Sequence, residues 1–275
     1  MSTSPILVIG STGKTGRRIA QQLAARGYAV RHGSRQSEPR FDWDHVQTWT
    51  AALQGVESAY IAYSQDLAFP GAPEKIEALT QCAVKAGVKH LVLLSGRNEV
   101  HAQHCEEIVK KCGLSYTLVR ASWFSQNFNE GYLLAPVLEG MVALPAGDVL
   151  EPFIDADDIA DVAVAALTDA RHAGQLYELT GPRLISFSQA AAEISRAAGR
   201  EVQYIPISFE AFHAGISDQM GAEMATLLTD LCKETLDGRN ASLANGVQRA
   251  LGREPRDFAD FCRASAASGV WNSSK

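Results

Sequence analysis

"ILVIGSTGKTGRRIAQQL", residues 6 to 23, joins an apolar, β-rich run to glycines at 10, 13 and 16 and then to a helical pattern. Two phosphate-binding arrangements compete for it. A nucleoside-triphosphate loop requires four residues between its first glycine and the Gly-Lys pair. Here only Ser11 and Thr12 separate Gly10 from Gly13, an arch too small to wrap a β-phosphate. A dinucleotide turn requires a strand before the glycines and a helix after them, and both are present. Gly10 then allows the tight turn, Gly13 lets the backbone approach a pyrophosphate, and Gly16 lets the helix pack against the strand. The N–H groups that open the helix hold the phosphates. The spacing is G-x-x-G-x-x-G rather than G-x-G-x-x-G, and its setting inside a strand–helix–strand unit gives it weight. Lys14, at the loop tip, can bring its ammonium to a pyrophosphate or a 2′-phosphate. A solvated lysine is the plainer alternative.

Outward from this loop the first half alternates strand and helix. "YAVRHGS", "SAYIAYS", "KHLVLLS" and "SYTLVR" read as strands. Helices are expected at 46–53, from Pro73 to Ala86, and over 101–112, with Gly87 and Gly113 as stops. Such alternation means βαβ units and a doubly wound parallel sheet of Rossmann type, an α/β fold. The second half is less regular. "DADDIADVAVAALTD" is an amphipathic helix whose early acids suit the helix dipole. "GQLYELTG" is a strand returning to the sheet. "SFSQAAAEISRAAGR" is a helix capped by Ser186 or Ser188. "EVQYIPIS" is a further strand, and the chain from 208 is mostly helical. The core is assigned to residues 1–130 with the returning strand near 175–180. A smaller, mostly helical lobe over 131–275 interleaves with it. The Ala/Ser-rich end, "RASAASGVWNSSK", is expected to fray.

The bulk numbers fit a globular chain: 275 residues, 46% hydrophobic, 20% charged, net charge −6. The acidic balance argues against a direct nucleic-acid surface. No run approaches the roughly 20 apolar residues of a membrane span. The five cysteines form no CxxC pair, which suits reduced thiols in a cytoplasm. Nothing in the sequence reads out oligomeric state; a homodimer is among the compatible assemblies.

An enzyme preferring NAD carries an acid about 20 positions beyond its glycines. Here no carboxylate stands between Val30 and Ser37, while Arg31 and Arg35 do. A guanidinium pairs with a 2′-phosphate, and the Ser34 hydroxyl can assist Arg35. NADP(H) is therefore the expected cofactor. Conventional short-chain dehydrogenases protonate a carbonyl with a tyrosine followed four residues later by lysine. None of Tyr28, Tyr60, Tyr63, Tyr116, Tyr132, Tyr177 and Tyr204 has that lysine.

"GSTGKTGRR", "GVKHLVLLSG", "GLSYTLVRASWFSQNF" and "FIDADDIADVAVAALTD" together resemble the NmrA-like branch of atypical short-chain dehydrogenases over nearly the whole chain. "RFDWDHVQTWTAALQGVESAYIAY" is similar to its festuclavine-dehydrogenase-like members. The resemblance implies an NADPH-dependent reductase of quinones or iminium compounds, or a dinucleotide sensor that binds transcription factors. It matches Gly10, Thr12, Gly13, Lys14, Thr15 and Gly16 to the pyrophosphate loop and Arg35 to the 2′-phosphate. It sets Phe41, Asp42 and Trp43 beside adenine. Ala62, Tyr63, Ser95 and Gly96 fall at strand ends along the nicotinamide half. Trp123, Phe124 and Asn127 match a "WFxxN" loop near nicotinamide and substrate. One departure is Ala121-Ser122, where relatives have a proline after the arginine.

Chemistry without a tyrosine acid narrows the acceptor. An iminium ion is already cationic, and a hydroquinone anion takes its protons from water. A small planar or cationic acceptor therefore tolerates the missing acid better than a ketone does. Tyr63, Ser95, His101 and His104 are candidate catalytic helpers, with a histidine able to donate near neutral pH. The two histidines equally suit a polar surface. His101 and Cys105, with Glu106, have helical spacing for a metal but no third marked ligand, so no metal is expected. Trp123 and Phe124 suit either a stacking platform or the core. Asp155, Asp157 and Asp158 suit the start of the following helix. A regulator that only senses the dinucleotide, or a non-redox enzyme such as a cyclase, stands as the alternative function.

Overall fold

The computed structural model describes residues 4–272. The chain runs β1 (Ile6–Ile9), α1 (Lys14–Ala25), β2 (Val30–Gly33), α2 (Trp49–Leu53), β3 (Ser58–Ile61), α3 (Ala72–Ala86), β4 (His90–Gly96), α4 (Val100–Lys111) and β5 (Ser115–Ala121). It continues through α5 (Asn127–Glu130), α6 (Leu134–Glu139), β6 (Met141–Leu144), β7 (Leu150–Glu151), α7 (Ala156–Thr168), β8 (Gln175–Leu179) and β9 (Ile185–Ser186). The last elements are α8 (Phe187–Ala198), β10 (Gln203–Pro206), α9 (Phe209–Met220), α10 (Ala222–Thr235), α11 (Gly246–Leu251) and α12 (Phe258–Ala267). Among the described residues no helix is long and apolar enough to cross a membrane.

Two compact units result. The first comprises 1–121, 156–179 and 245–253, and the second 122–155, 180–244 and 254–275. The first holds a six-stranded sheet in the order β2-β1-β3-β4-β5-β8, every pair parallel. The fold is therefore Rossmann-type α/β. β1 is buried along its whole length, as a central parallel strand must be. On one face Trp49, Ile76, Leu79, Cys105 and Val109 pack on Leu7, Ile9, Ile61 and Leu93. The chain leaves β1 for β2 on one side and returns to β3 on the other. That reversal opens a crevice beyond the carboxyl ends of β1 and β3. α1 and α7 are tied together by Arg18 Nε donating to Asp157 at 2.7 Å and Gln22 to Asp161 at 2.8 Å.

The second unit has two small sheets, β6 with β10 and β7 with β9. Its core is aromatic. Phe153 lies 5.7 Å from Phe128 and 5.2 Å from Phe187, and Phe258 lies 5.6 Å from Phe128. Of the two serines offered as a cap for α8, Ser186 takes the position, and it forms a reciprocal capping box with Gln189. The expectation that the chain's end frays is corrected as far as Asn272. Trp271 is 2% exposed, packs on Phe261 and donates its indole N–H to the Phe128 carbonyl at 2.9 Å. An alanine/serine composition says nothing of a single buried indole. The last three residues of the quoted stretch lie outside the described residues.

Candidate functional site

The glycine loop folds back on itself. Gly10 has φ +78°, a conformation that disfavours side chains, and its carbonyl accepts the Gly13 N–H at 2.9 Å. A Cβ on Gly16 would lie 2.2 Å from the Gly10 oxygen, so α1 can start this close only without one. The first N–H groups of α1, those of Lys14, Thr15 and Gly16, have no intrahelical acceptor by position. Thr12 and Gly13 are exposed at the tip. Thr15 is buried, and its hydroxyl accepts a hydrogen bond from Tyr60 at 2.8 Å. Its side chain therefore anchors the helix, and its backbone is what remains for a ligand. Lys14 is half-buried and has no acceptor among the described residues. Burial, then Arg17 and Arg18, push its ammonium below the ordinary lysine value. Arg18 is paired with Asp157; Lys14 is a cation in need of an anion. The Ser11 hydroxyl, in the same loop, is buried without a hydrogen-bond partner. An open helix start, an unpaired ammonium and an orphaned hydroxyl fit a dinucleotide diphosphate.

In β2 and beyond it three arginines take different roles. Arg31 donates to the carbonyls of Ala52 and Gln54, and Arg40 to Asp42. Arg35 is exposed and unpaired among the described residues. The Ser34 hydroxyl accepts the Gln36 N–H at 3.3 Å. Asp42 is buried and accepts from Arg40, His45 and the Asp44 N–H. Hydrogen bonding, foremost from the Asp44 N–H, holds this carboxyl below the usual range. Asp42 thus organises its own loop. Trp43 is buried against Phe41, Trp49 and Tyr63, with Tyr63 at 4.9 Å, and its carbonyl accepts from Lys75.

Along the other strand ends, Ala62 lies against Gly10: a Cβ there would sit 3.1 Å from the Ala62 methyl. Tyr63 is half-buried, and burial, then Asp44, Cys105 and Glu74, push its phenol upward. That is the opposite of what a lysine does to a catalytic tyrosine. Ser95 is 4% exposed and its hydroxyl has no partner. Gly96, beside it, leaves room for the Glu99 carboxylate, which a Cβ would strike. His101 and His104 are exposed on α4, and His104 lines a groove with Glu77, Gln81, Lys85 and Ile108. Glu106, considered as a metal ligand, is clasped by Arg120, and burial pushes the Cys105 thiol up to about 12.

Sequence reasoning missed a buried ion-pair chain beside these strand ends. Arg97, 4% exposed, donates to Glu178 at 2.6 Å, and Arg120 meets both Glu178 and Glu106. It also missed Gly33, whose Cβ would come within 3.0 Å of the β1 backbone. Asp157 and Asp158, read as first-turn acids of α7, pair with Arg18 and Arg253.

Trp123, Phe124 and Asn127 belong to the second unit. Their loop is pinned at Ile154, which accepts the Ser125 N–H and donates to the Trp123 carbonyl, both at 2.8 Å. Ser122 donates its hydroxyl to the Pro152 carbonyl at 2.7 Å. All three side chains are half-buried; Trp123 meets Phe187 edge-on at 5.2 Å. Asp155 accepts from Gln126 at 3.0 Å.

The NmrA-like family model matches residues 2–261. The chain belongs to the NmrA-like family. Among relatives of this NmrA-like protein, the uncharacterized oxidoreductase YesF of Bacillus subtilis is 32% identical, over 99% of this chain and 98% of that one. An NAD(P)H azoreductase of Xenophilus azovorans is 30% identical, over 96% and 98%. The NADPH-dependent quinone oxidoreductase QOR2 of Escherichia coli, solved with NADPH, superposes with TM-score 0.76 at 24% identity, over 94% and 99%. Two of these three carry a nicotinamide cofactor in their names: the azoreductase as NAD(P)H and the quinone oxidoreductase as NADPH.

Proposed function

We propose that this NmrA-like protein is an NADPH-dependent reductase of small planar or cationic acceptors such as quinones, azo compounds or cyclic imines. The observation that supports it is the pair of polar groups without partners on the strand-end edge of the first unit: the Lys14 ammonium on the β1 side and the Ser95 hydroxyl on the β4 side. The backbone of Gly13 to Gly16 with Lys14 holds the diphosphate, and Arg35 with Ser34 meets the adenosine 2′-phosphate. Ala62, Ser95 and Gly96 line the nicotinamide half, and bound NADPH supplies a hydride. Trp123, Phe124 and Asn127 contact the acceptor. Tyr63, its phenol pushed upward, donates a hydrogen bond without giving up its proton. Ser95 does the same at its own position. Protons that a quinone or an azo compound needs come from water, and a cyclic imine takes its proton from water first and accepts the hydride as the iminium, which needs no other.

The decisive test follows NADPH absorbance against a panel of quinones, azo dyes and cyclic imines, with a secondary ketone as control. Oxidation with the panel and not with the ketone supports the reading. Tight NADP(H) binding without oxidation by any acceptor supports a sensing role instead. For the cofactor, Arg35→Ala raises the Kd of NADPH about tenfold and that of NADH less than about twofold. Equal losses would remove the 2′-phosphate assignment.

A further inference from the structure

The chain has ten phenylalanines, seven tyrosines and four tryptophans, and among the described residues Tyr132 alone of these is exposed, at 54%. It stands in the turn after α5, between Gly131 and the buried Leu133. The Leu133 N–H donates to the Asn127 carbonyl at 3.2 Å, and the Leu134 N–H to the Gly131 carbonyl at 3.0 Å. The backbone on either side is thus tied down.

The ring is the outermost member of a file of aromatics. Phe153 packs on Phe187 at 5.2 Å, Phe187 on Trp123 at 5.2 Å, and Trp123 on Tyr132 at 6.4 Å with 68° between planes. Exposure rises along the file, from buried Phe153 and Phe187 through half-buried Trp123 to exposed Tyr132. The outer two rings make a corner with two aromatic faces at a steep angle, backed by core. A flat conjugated ligand can lie face-on against one such ring while its edge meets the other, the two arrangements aromatic pairs prefer. A single small ring can satisfy one contact without the other.

We infer that Tyr132 and Trp123 form a recognition corner for acceptors with two or more fused or conjugated rings, Tyr132 being the residue that selects ring number. This rests on the reductase reading above.

Two probes differing by one ring separate the outcomes: 1,4-naphthoquinone and 1,4-benzoquinone, each with saturating NADPH. Tyr132→Ser is expected to raise the KM for naphthoquinone about fivefold, with kcat and the benzoquinone KM changed less than about twofold. Tyr132→Phe restores the wild-type KM. Equal KM changes for the two quinones, or none for either, overturn the corner. The same substitution is read without turnover by titrating 1,4-naphthoquinone into the NADP+-loaded protein and following tryptophan emission. If no acceptor is reduced but Tyr132→Ser weakens quinone binding about fivefold, the corner stands and the reductase reading falls. Unchanged binding overturns the corner whatever the activity. A change of oligomeric state with unchanged quinone binding assigns the ring to self-association and overturns it also.

Discussion

One added carbon on Gly16 would lie 2.2 Å from the Gly10 oxygen; a Cβ has no torsion by which to turn away, and the oxygen belongs to backbone. Gly16→Ala is therefore expected to lower stability by about 1–3 kcal/mol and to weaken dinucleotide binding at least tenfold. Thermal melts with and without NADPH measure both; an unshifted melt would mean that the loop gives way elsewhere. At Lys14 the effect is on binding. Lys14→Met removes a cation already crowded by Arg17 and Arg18, so the apo protein loses little stability while NADPH affinity drops about tenfold. Tyr63→Phe leaves reductase turnover within about threefold, because a phenol pushed upward is a poor proton donor. A hundredfold loss of turnover would make Tyr63 the missing acid. The sequence exposed the three loop glycines because their spacing is itself a signal. It did not expose Gly33, whose need to be glycine comes from a strand 24 residues earlier in the chain (Ile9 facing Gly33 in the sheet). Nor could it tell that Thr15 faces Tyr60 rather than a ligand.

Elements are legible wherever their own residues decide them. The strands of the first half and α1, α3 and α4 follow from apolar period and from glycine or proline at their ends, α7 from its amphipathic period and early acids, and α8 from its capping serine. What joins elements is not legible. Arg97 and Glu178 lie 81 positions apart, and only the parallel neighbours β5 and β8 bring Glu178 opposite Arg120. Glu106 is 1% exposed and its partner Arg120 16%, so the pair is desolvated. Glu106→Gln should leave the guanidinium short of a counter-charge and cost about 3 kcal/mol, read by urea unfolding. A loss below about 1 kcal/mol would show that Glu178 alone satisfies Arg120. The end of the chain makes the same point in the second unit. Trp271→Ala removes a buried indole and its bond to Phe128, with an expected loss of about 3–5 kcal/mol. A fraying tail would have lost nothing.

Over the whole molecule a net charge of −6 coexists with Lys14, Arg17 and Arg18 at the start of α1 and Arg35 just beyond β2. Titration separates two kinds of group. His172, 6% exposed, bonds the Tyr177 hydroxyl at 2.8 Å, and its carbonyl accepts from Thr117. His90 meets Ser115 and Thr117 on the neighbouring strand, β5. Burial holds both imidazoles below their ordinary value, and Asp169 opposes this at His172. As pH falls through about 6.5, the unfolded chain takes protons that the folded one refuses, so stability declines until the folded pKa values are passed. Above that window the contribution is complete. The lowered carboxyls of Asp42 and Asp257 act further down: their stabilisation is full above about pH 4 and is lost beneath it. A fall in Tm between pH 7.5 and 5.5 is thus a histidine effect. His172→Gln should lower Tm at pH 7.5, because it disturbs the bond to Tyr177, yet make the fall between the two pH values smaller. A fall of undiminished size in that variant would move the pH dependence to other groups.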